Sequence, residues 1–254
     1  MVLRNEDLDP ERSRREYWQA SVEDLQWLGL DWSEGPDRGG LYAPYSQSER
    51  RDLYVSAWRR LLEAGWLYPC RCTRSDLSRV AQAPHEGAGD EEAIYPGVCR
   101  PKGARSASLQ IASSVFSTPR SYNWRFAVPE GEVIQFTDGH YGAQTMVAGS
   151  DFGDFVVWRR DDVPAYQLAV VVDDHAMQIT EVVRGRDLLV STARQILLYR
   201  ALGYSEPAWF HCPLVVDARG QRLAKRNGAL ALRTLRAQGL SPQAALELAR
   251  PSQS

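Results

Sequence analysis

Three cysteines, Cys70, Cys72 and Cys99, fall in one loop-rich stretch of this 254-residue chain, beside arginine, threonine, proline and glycine. A core cysteine would want aliphatic neighbours, whereas soft thiolates grouped this closely suit a tetrahedral zinc ion. A fourth ligand is then needed. His85 has the conventional ligand type, and Tyr95, four residues before Cys99, could bind through its phenol oxygen; spacing does not choose between them. Cys212 stands apart and reads as a core thiol. Elsewhere, Tyr166 and Arg184 bracket a long apolar block and are expected at the carboxyl ends of core elements, where open α/β sheets bind ligands. A guanidinium there suits a carboxylate through its bidentate fork. The segment Gly220-Gln-Arg-Leu-Ala-Lys-Arg-Asn-Gly228 sets Lys225 in a basic loop able to clamp phosphates.

The elements that must hold these groups read as alternating α and β. Met1–Arg4 reads as the end of a strand, and Asp9-Pro10 supplies a cap and a first-turn proline for a helix that Gly29 closes. Leu53, Tyr54, Ala57, Trp58, Leu61 and Leu62 mark a second helix, capped by Ser46 or Ser48 and ended by Gly65. Short strands are predicted over 123–128, 133–137 and 155–159, separated by glycine and aspartate turns and typical of an antiparallel insertion. The run 168–172 is apolar enough to be buried; 178–183 reads as a strand, 188–202 as a helix ending at Gly203, 209–216 as a last strand and 242–249 as a weak helix. Trp32, Trp209 and His175 read as buried packing.

Composition bounds the rest. A 44% hydrophobic, 24% charged chain is an ordinary globular one, and its net charge of −2 means that an RNA partner must be held by a local basic face. No apolar run approaches a membrane span and no secretory signal is visible, so a cytoplasmic location without a membrane partner is expected, and with it free cysteines.

Taken in order, Arg4-Asn-Glu-Asp-Leu-Asp9, the block from Tyr166 through Val183-Arg-Gly-Arg-Asp-Leu-Leu-Val-Ser-Thr192, and the Lys225 loop resemble the glutamate-specific class I aminoacyl-tRNA synthetases almost continuously. The resemblance implies an α/β, Rossmann-like catalytic domain with a zinc-containing insertion. It divides the chain into a first catalytic half (1–67), a zinc-binding insertion (68–102), an antiparallel insertion (103–160), a second catalytic half with the phosphate loop (161–240) and a short tail (241–254). It implies that Glu6 holds the ammonium of L-glutamate, Tyr166 contacts the substrate, Arg184 pairs with a substrate carboxylate, and Lys225 is the catalytic group that steadies the phosphates of ATP together with Mg2+. Within the family, the short zinc-binding members that glutamylate the queuosine base of tRNA(Asp) look most similar, because cysteine-x-cysteine, tyrosine and cysteine recur here in their order. That similarity raises Tyr95 over His85 as ligand to one structural Zn2+. A monomer is the expected state.

Two departures from the family stand out. Its proline-serine-proline-threonine-glycine turn and histidine-x-glycine-histidine signature precede the arginine-x-glutamate-aspartate strand, so the first βα unit is read as missing here, with an upstream start as the expected explanation. The phosphate loop carries Arg222 and Ala224 where the family has lysine and serine. The chain also ends 29 residues after Lys225, which leaves no room for a helical anticodon-binding part. Two other readings follow from these departures: a truncated glutamyl-tRNA synthetase, and a non-catalytic, zinc-stabilised RNA-binding remnant.

Overall fold

The computed structural model describes residues 1–9, 13–73, 76, 94–101, 116–215 and 231–248. The chain forms two compact units, one of Met1–Arg50, Arg184–Asp187 and Cys212–Ser254, the other of Arg51–Val183 and Leu188–His211.

In the first unit the expected N-terminal strand is reduced to isolated parallel bridges, Val2 to Glu34 and Asn5 to Ser46. Four backbone bonds among the described residues hold it: Ser33 N–H to Met1 O at 3.0 Å, Leu3 N–H to Glu34 O at 2.8 Å, Asn5 N–H to Tyr45 O at 2.9 Å and Gln47 N–H to Asn5 O at 3.0 Å. Helix α1 (Arg15–Trp27) starts beyond the predicted Asp9-Pro10 cap, and none of its residues is buried, in keeping with its imperfect apolar stripe. Its end is as the sequence predicts. Gly29 takes φ +82°, Leu30 N–H reaches Leu25 O and Gly29 N–H reaches Gln26 O, closing a Schellman motif. Ser48 does not cap the second helix, because its hydroxyl and backbone N–H both bond the Asp7 carboxylate, at 2.7 and 2.9 Å. Ser46 instead precedes a single 3-10 turn, Gln47–Glu49, without a side-chain cap bond.

The second unit begins with α2 (Arg51–Glu63), which buries Tyr54, Ala57, Trp58, Leu61 and Leu62 while Leu53 stays exposed. A three-stranded antiparallel sheet follows, in the order β1 (Leu67–Cys70), β2 (Asn123–Phe126), β5 (Phe155–Trp158). One face is aromatic: Trp124 meets Trp58 of α2 edge-on with ring centroids 5.0 Å apart. A second sheet runs β4-β3-β7-β6, from β3 (Val133–Asp138), β4 (Gly142–Val147), β6 (Glu181–Gly185) and β7 (Ala208–Cys212). β3 and β4 form an antiparallel hairpin, and β3 joins β7 in parallel at Asp138 and Trp209.

Between these strands lie α3 (Tyr166–Ala176) and α4 (Leu189–Leu202). The run from Leu168 to Asp174 is buried without interruption in α3. Gly203 ends α4 at φ +66°, as its sequence predicts. The sequence missed a short helix, α5 (Leu232–Ala237); the tail helix is α6 (Pro242–Leu248). Trp32 and Trp209 are core residues, but His175 is exposed and stacks on Tyr204 with ring centroids 3.6 Å apart. Cys212 is only half-buried. Among the described residues no helix is long and apolar enough to cross a membrane.

Candidate metal centre and substrate residues

Strand alternation brings the metal donors together. In β1, Tyr68 and Cys70 share one face, opposite Arg125 and Asn123 of β2. Cys72 lies just past the strand end. The segment 94–101 then lays Tyr95 and Cys99 against it, turned by Gly97 at φ +75°, with Arg100 N–H on Gly97 O and Cys99 N–H on the Tyr95 phenol oxygen, both at 2.8 Å. Gly153 lets that segment pass. A Cβ there would stand 2.7 Å from Ile94 Cγ2 and 3.3 Å from Tyr95 N.

The sulfur atoms of Cys70, Cys72 and Cys99 lie within 4.8 Å of one another. The Tyr95 oxygen is 3.5 Å from Cys70 Sγ and 3.6 Å from Cys72 Sγ, and Cys72 Sγ is 3.5 Å from Cys99 Sγ. A tetrahedral zinc ion spaces its sulfur ligands about 3.8 Å apart and a sulfur–oxygen pair about 3.5 Å apart, so this donor set fits the ion as it stands. His85 lies outside the described residues.

Electrostatics favour one thiol over another. Burial pushes Cys72 up to about 11. Burial also raises Cys99, but the Arg71 backbone N–H and bonds from Tyr95, Cys72 and Cys70 outweigh it and hold Cys99 down near about 7. Burial and then the Cys70 contact raise the Tyr95 phenol. Beside the donors sits Arg125, an arginine within an aromatic strand and not among the expected site residues; it is 6% exposed, with its guanidinium 3.8 Å from the Tyr95 ring centroid and Nε 3.4 Å from Cys70 Sγ. Asp154 anchors the surroundings, accepting from Tyr68 OH at 2.5 Å, Arg100 at 2.9 Å and Val128 N–H at 2.8 Å.

The other expected residues are distributed over both units. In the first, Glu6 is exposed and accepts a 3.0 Å bond from Arg4. Also there, Arg184 is half-buried in the fourth position of β6. The strand starts three residues later and ends two residues later than predicted, and so contains Arg184. The next residue is a glycine, on which a Cβ would stand 2.6 Å from the Asp187 carboxylate. In the second unit, Tyr166 is exposed at the first position of α3. It therefore opens a helix instead of ending an element, because Pro164-Ala165 leads directly into the buried helical run. Lys225, with its loop, lies outside the described residues.

A profile of the catalytic domain of class I tRNA synthetases (E and Q) matches residues 1–250. Glutamyl-Q tRNA(Asp) synthetase of Symbiobacterium thermophilum is 51% identical over 242 residues, covering 95% of this chain and 72% of that protein. Its namesake from Nitratidesulfovibrio vulgaris is 48% identical, with 94% and 72% covered. Glutamate–tRNA ligase of Symbiobacterium thermophilum is 42% identical, with 96% and 49% covered. The crystal structure of glutamate-tRNA synthetase from Elizabethkingia anophelis superposes with a TM-score of 0.72 at 31% identity, over 89% of this chain and 46% of that one.

Proposed function

We propose that this chain, which belongs to the class I tRNA synthetase family for glutamate and glutamine, activates L-glutamate with ATP and transfers it to the queuosine base of tRNA(Asp). The observation that carries the reading is the 51% and 48% identity to two glutamyl-Q tRNA(Asp) synthetases, against 42% to a glutamate–tRNA ligase. The thiol and phenol cluster in the order Cys70, Cys72, Tyr95, Cys99 supports it.

In the first step a glutamate carboxylate oxygen attacks the α-phosphorus of ATP, the bond to pyrophosphate breaks, and glutamyl-adenylate forms. In the second, a ring hydroxyl of queuosine attacks the activated carbonyl, loses its proton and releases AMP. Glu6 would take the substrate ammonium, Arg184 a carboxylate and Tyr166 a further polar contact. Lys225, with Mg2+, would offset charge developing on the departing pyrophosphate. Zinc held by Cys70, Cys72, Tyr95 and Cys99 would be structural, since four protein donors leave it no open position.

A net charge of −2 requires a local face for RNA, and arginines of the second unit support one. Arg71 lies over the Tyr122 ring at 5.5 Å; Arg51 and Arg120 converge on Asp162 at 2.7 and 3.1 Å; Arg59 bonds Ser117 O at 3.4 Å. Arginines of this unit, one of them over a half-exposed tyrosine, would suit a phosphate backbone and a stacking base.

The test uses tRNA(Asp) carrying queuosine but lacking its terminal adenosine. Labelled glutamate should still be incorporated, and not into the same tRNA with guanine in place of queuosine. Incorporation only into tRNA with an intact 3′ end would instead favour an ordinary glutamyl-tRNA synthetase. Absence of glutamate-dependent ATP–pyrophosphate exchange would favour the non-catalytic remnant.

A further inference from the structure

Arg125 poses an electrostatic problem that its neighbours among the described residues do not solve. It is 6% exposed in the middle of β2. Among the described residues its contacts are the Asp154 backbone carbonyl at 2.9 Å, Cys70 Sγ at 3.4 Å and the face of Tyr95 at 3.8 Å. None of these is a carboxylate. The nearby Asp154 carboxylate accepts from Tyr68, Arg100 and the Val128 N–H, with Arg100 also 3.1 Å from Glu130, and Arg125 reaches Asp154 only through its backbone carbonyl. An isolated buried guanidinium is strongly disfavoured unless an anion lies beside it.

We propose that Arg125 is the built-in counter-ion and positioning residue of the metal centre, present to balance a metal–thiolate group that carries net negative charge. This rests on the reading of Cys70, Cys72, Tyr95 and Cys99 as zinc ligands. Three thiolates around a divalent ion leave one excess negative charge, which one guanidinium cancels. The geometry suits both tasks. Nε points at Cys70, the ligand deepest in the sheet, while the flat guanidinium stacks on Tyr95 and fixes the ring plane that aims its oxygen at the sulfurs. The register explains why this position can do so, because Arg125 faces Tyr68, one alternation from Cys70, on the sheet face the donors occupy.

The experiment compares the full-length protein with Arg125→Met and Arg125→Lys, each with zinc bound and after removal by a chelator. Zinc affinity is read by competition with a chromophoric chelator, site geometry from the charge-transfer and d–d absorption of the cobalt-substituted protein, and stability from Tm. The proposal expects Arg125→Met to weaken zinc binding roughly 10- to 100-fold, to alter the cobalt spectrum, and to lower Tm only with metal bound. In the metal-free protein the same change removes an unbalanced buried charge, so Tm there should hold or rise. Arg125→Lys, which keeps the charge but loses the flat stack, should weaken zinc less than Arg125→Met. Equal loss of Tm with and without metal, or wild-type zinc affinity in Arg125→Met, would overturn the proposal by reducing Arg125 to ordinary packing. Should Arg125→Met not fold, wild-type affinity and cobalt spectrum in Arg125→Lys would overturn the positioning role, and a loss of either would support it. Failure of the wild-type protein to bind zinc would remove the underlying reading instead, so the two failures are distinguishable.

Discussion

His211 Nδ1 lies 2.6 Å from Asp138 Oδ2, with both side chains fully buried, and so ties the end of β3 to β7. Asp138 also accepts from the backbone N–H groups of His140, Tyr141 and His211, while the far ring nitrogen of His211 meets Thr192 Oγ1 of α4 at 3.1 Å. One carboxylate thus joins a hairpin, a parallel strand and a helix.

The first prediction concerns this joint. Burial raises the Asp138 carboxyl, but the His211 bond and the three backbone N–H donors outweigh it and hold it down at about 2, below its usual 3.8. A carboxylate with a depressed folded value stabilises the fold above its unfolded value, and that contribution is lost as pH falls towards the folded one. Urea melts of the wild type should therefore lose stability between about pH 4 and about pH 2, and Asp138→Asn should flatten that slope. Asp138→Ala, which strands several buried donors, should cost about 3 kcal/mol or more at neutral pH.

Gly153 is predicted to control the metal centre without touching it. A methyl at this position would displace Ile94 and the Tyr95 backbone, so Gly153→Ala should weaken zinc binding about tenfold, an effect comparable to losing an outer-shell contact. Chelator competition measures it. Unchanged affinity would show that the 94–101 segment yields without moving the phenol.

These two cases also mark what the sequence could and could not disclose. The trio Cys70, Cys72 and Cys99 was visible because ligand chemistry shows in residue type and short spacing. The ends of α1 and α4 were visible because Gly29 and Gly203 supply the left-handed turn. Arg125 was not, although an arginine inside Trp124-Arg-Phe126 is an anomaly that could have flagged it. Its role depends on the pairing of β1 with β2 across a separation of 55 residues. The Asp138–His211 bond spans 73 residues and has the same cause. The sequence places Tyr166 at the end of an element that it in fact opens, because a short apolar run does not distinguish a buried helix from a buried strand.

The proposed RNA face gives a third prediction. Arg71→Ala and Arg120→Ala should each weaken tRNA binding and reduce the slope of log affinity against log salt by about 1, as expected for one lost phosphate contact. Glutamate-dependent ATP–pyrophosphate exchange should be unaffected. A variant that lowers exchange and tRNA binding together would assign these arginines to the fold.

Substrate contacts give a fourth. Arg184→Gln and Glu6→Gln should raise the KM for glutamate roughly 10- to 100-fold, the scale of one charge-assisted contact. On the proposed role of Lys225, Lys225→Ala should lower kcat by about 100-fold or more with less change in KM, since a charge there would matter most as pyrophosphate departs. Steady-state exchange kinetics separate the two patterns, and an unchanged KM in Arg184→Gln would remove that residue from the glutamate pocket.

The most direct measurement is transfer of labelled glutamate to tRNA(Asp) that lacks its terminal adenosine, with and without queuosine. The account predicts ATP-dependent incorporation only when queuosine is present. Incorporation confined to tRNA with an intact 3′ end, whatever its anticodon base, would contradict it.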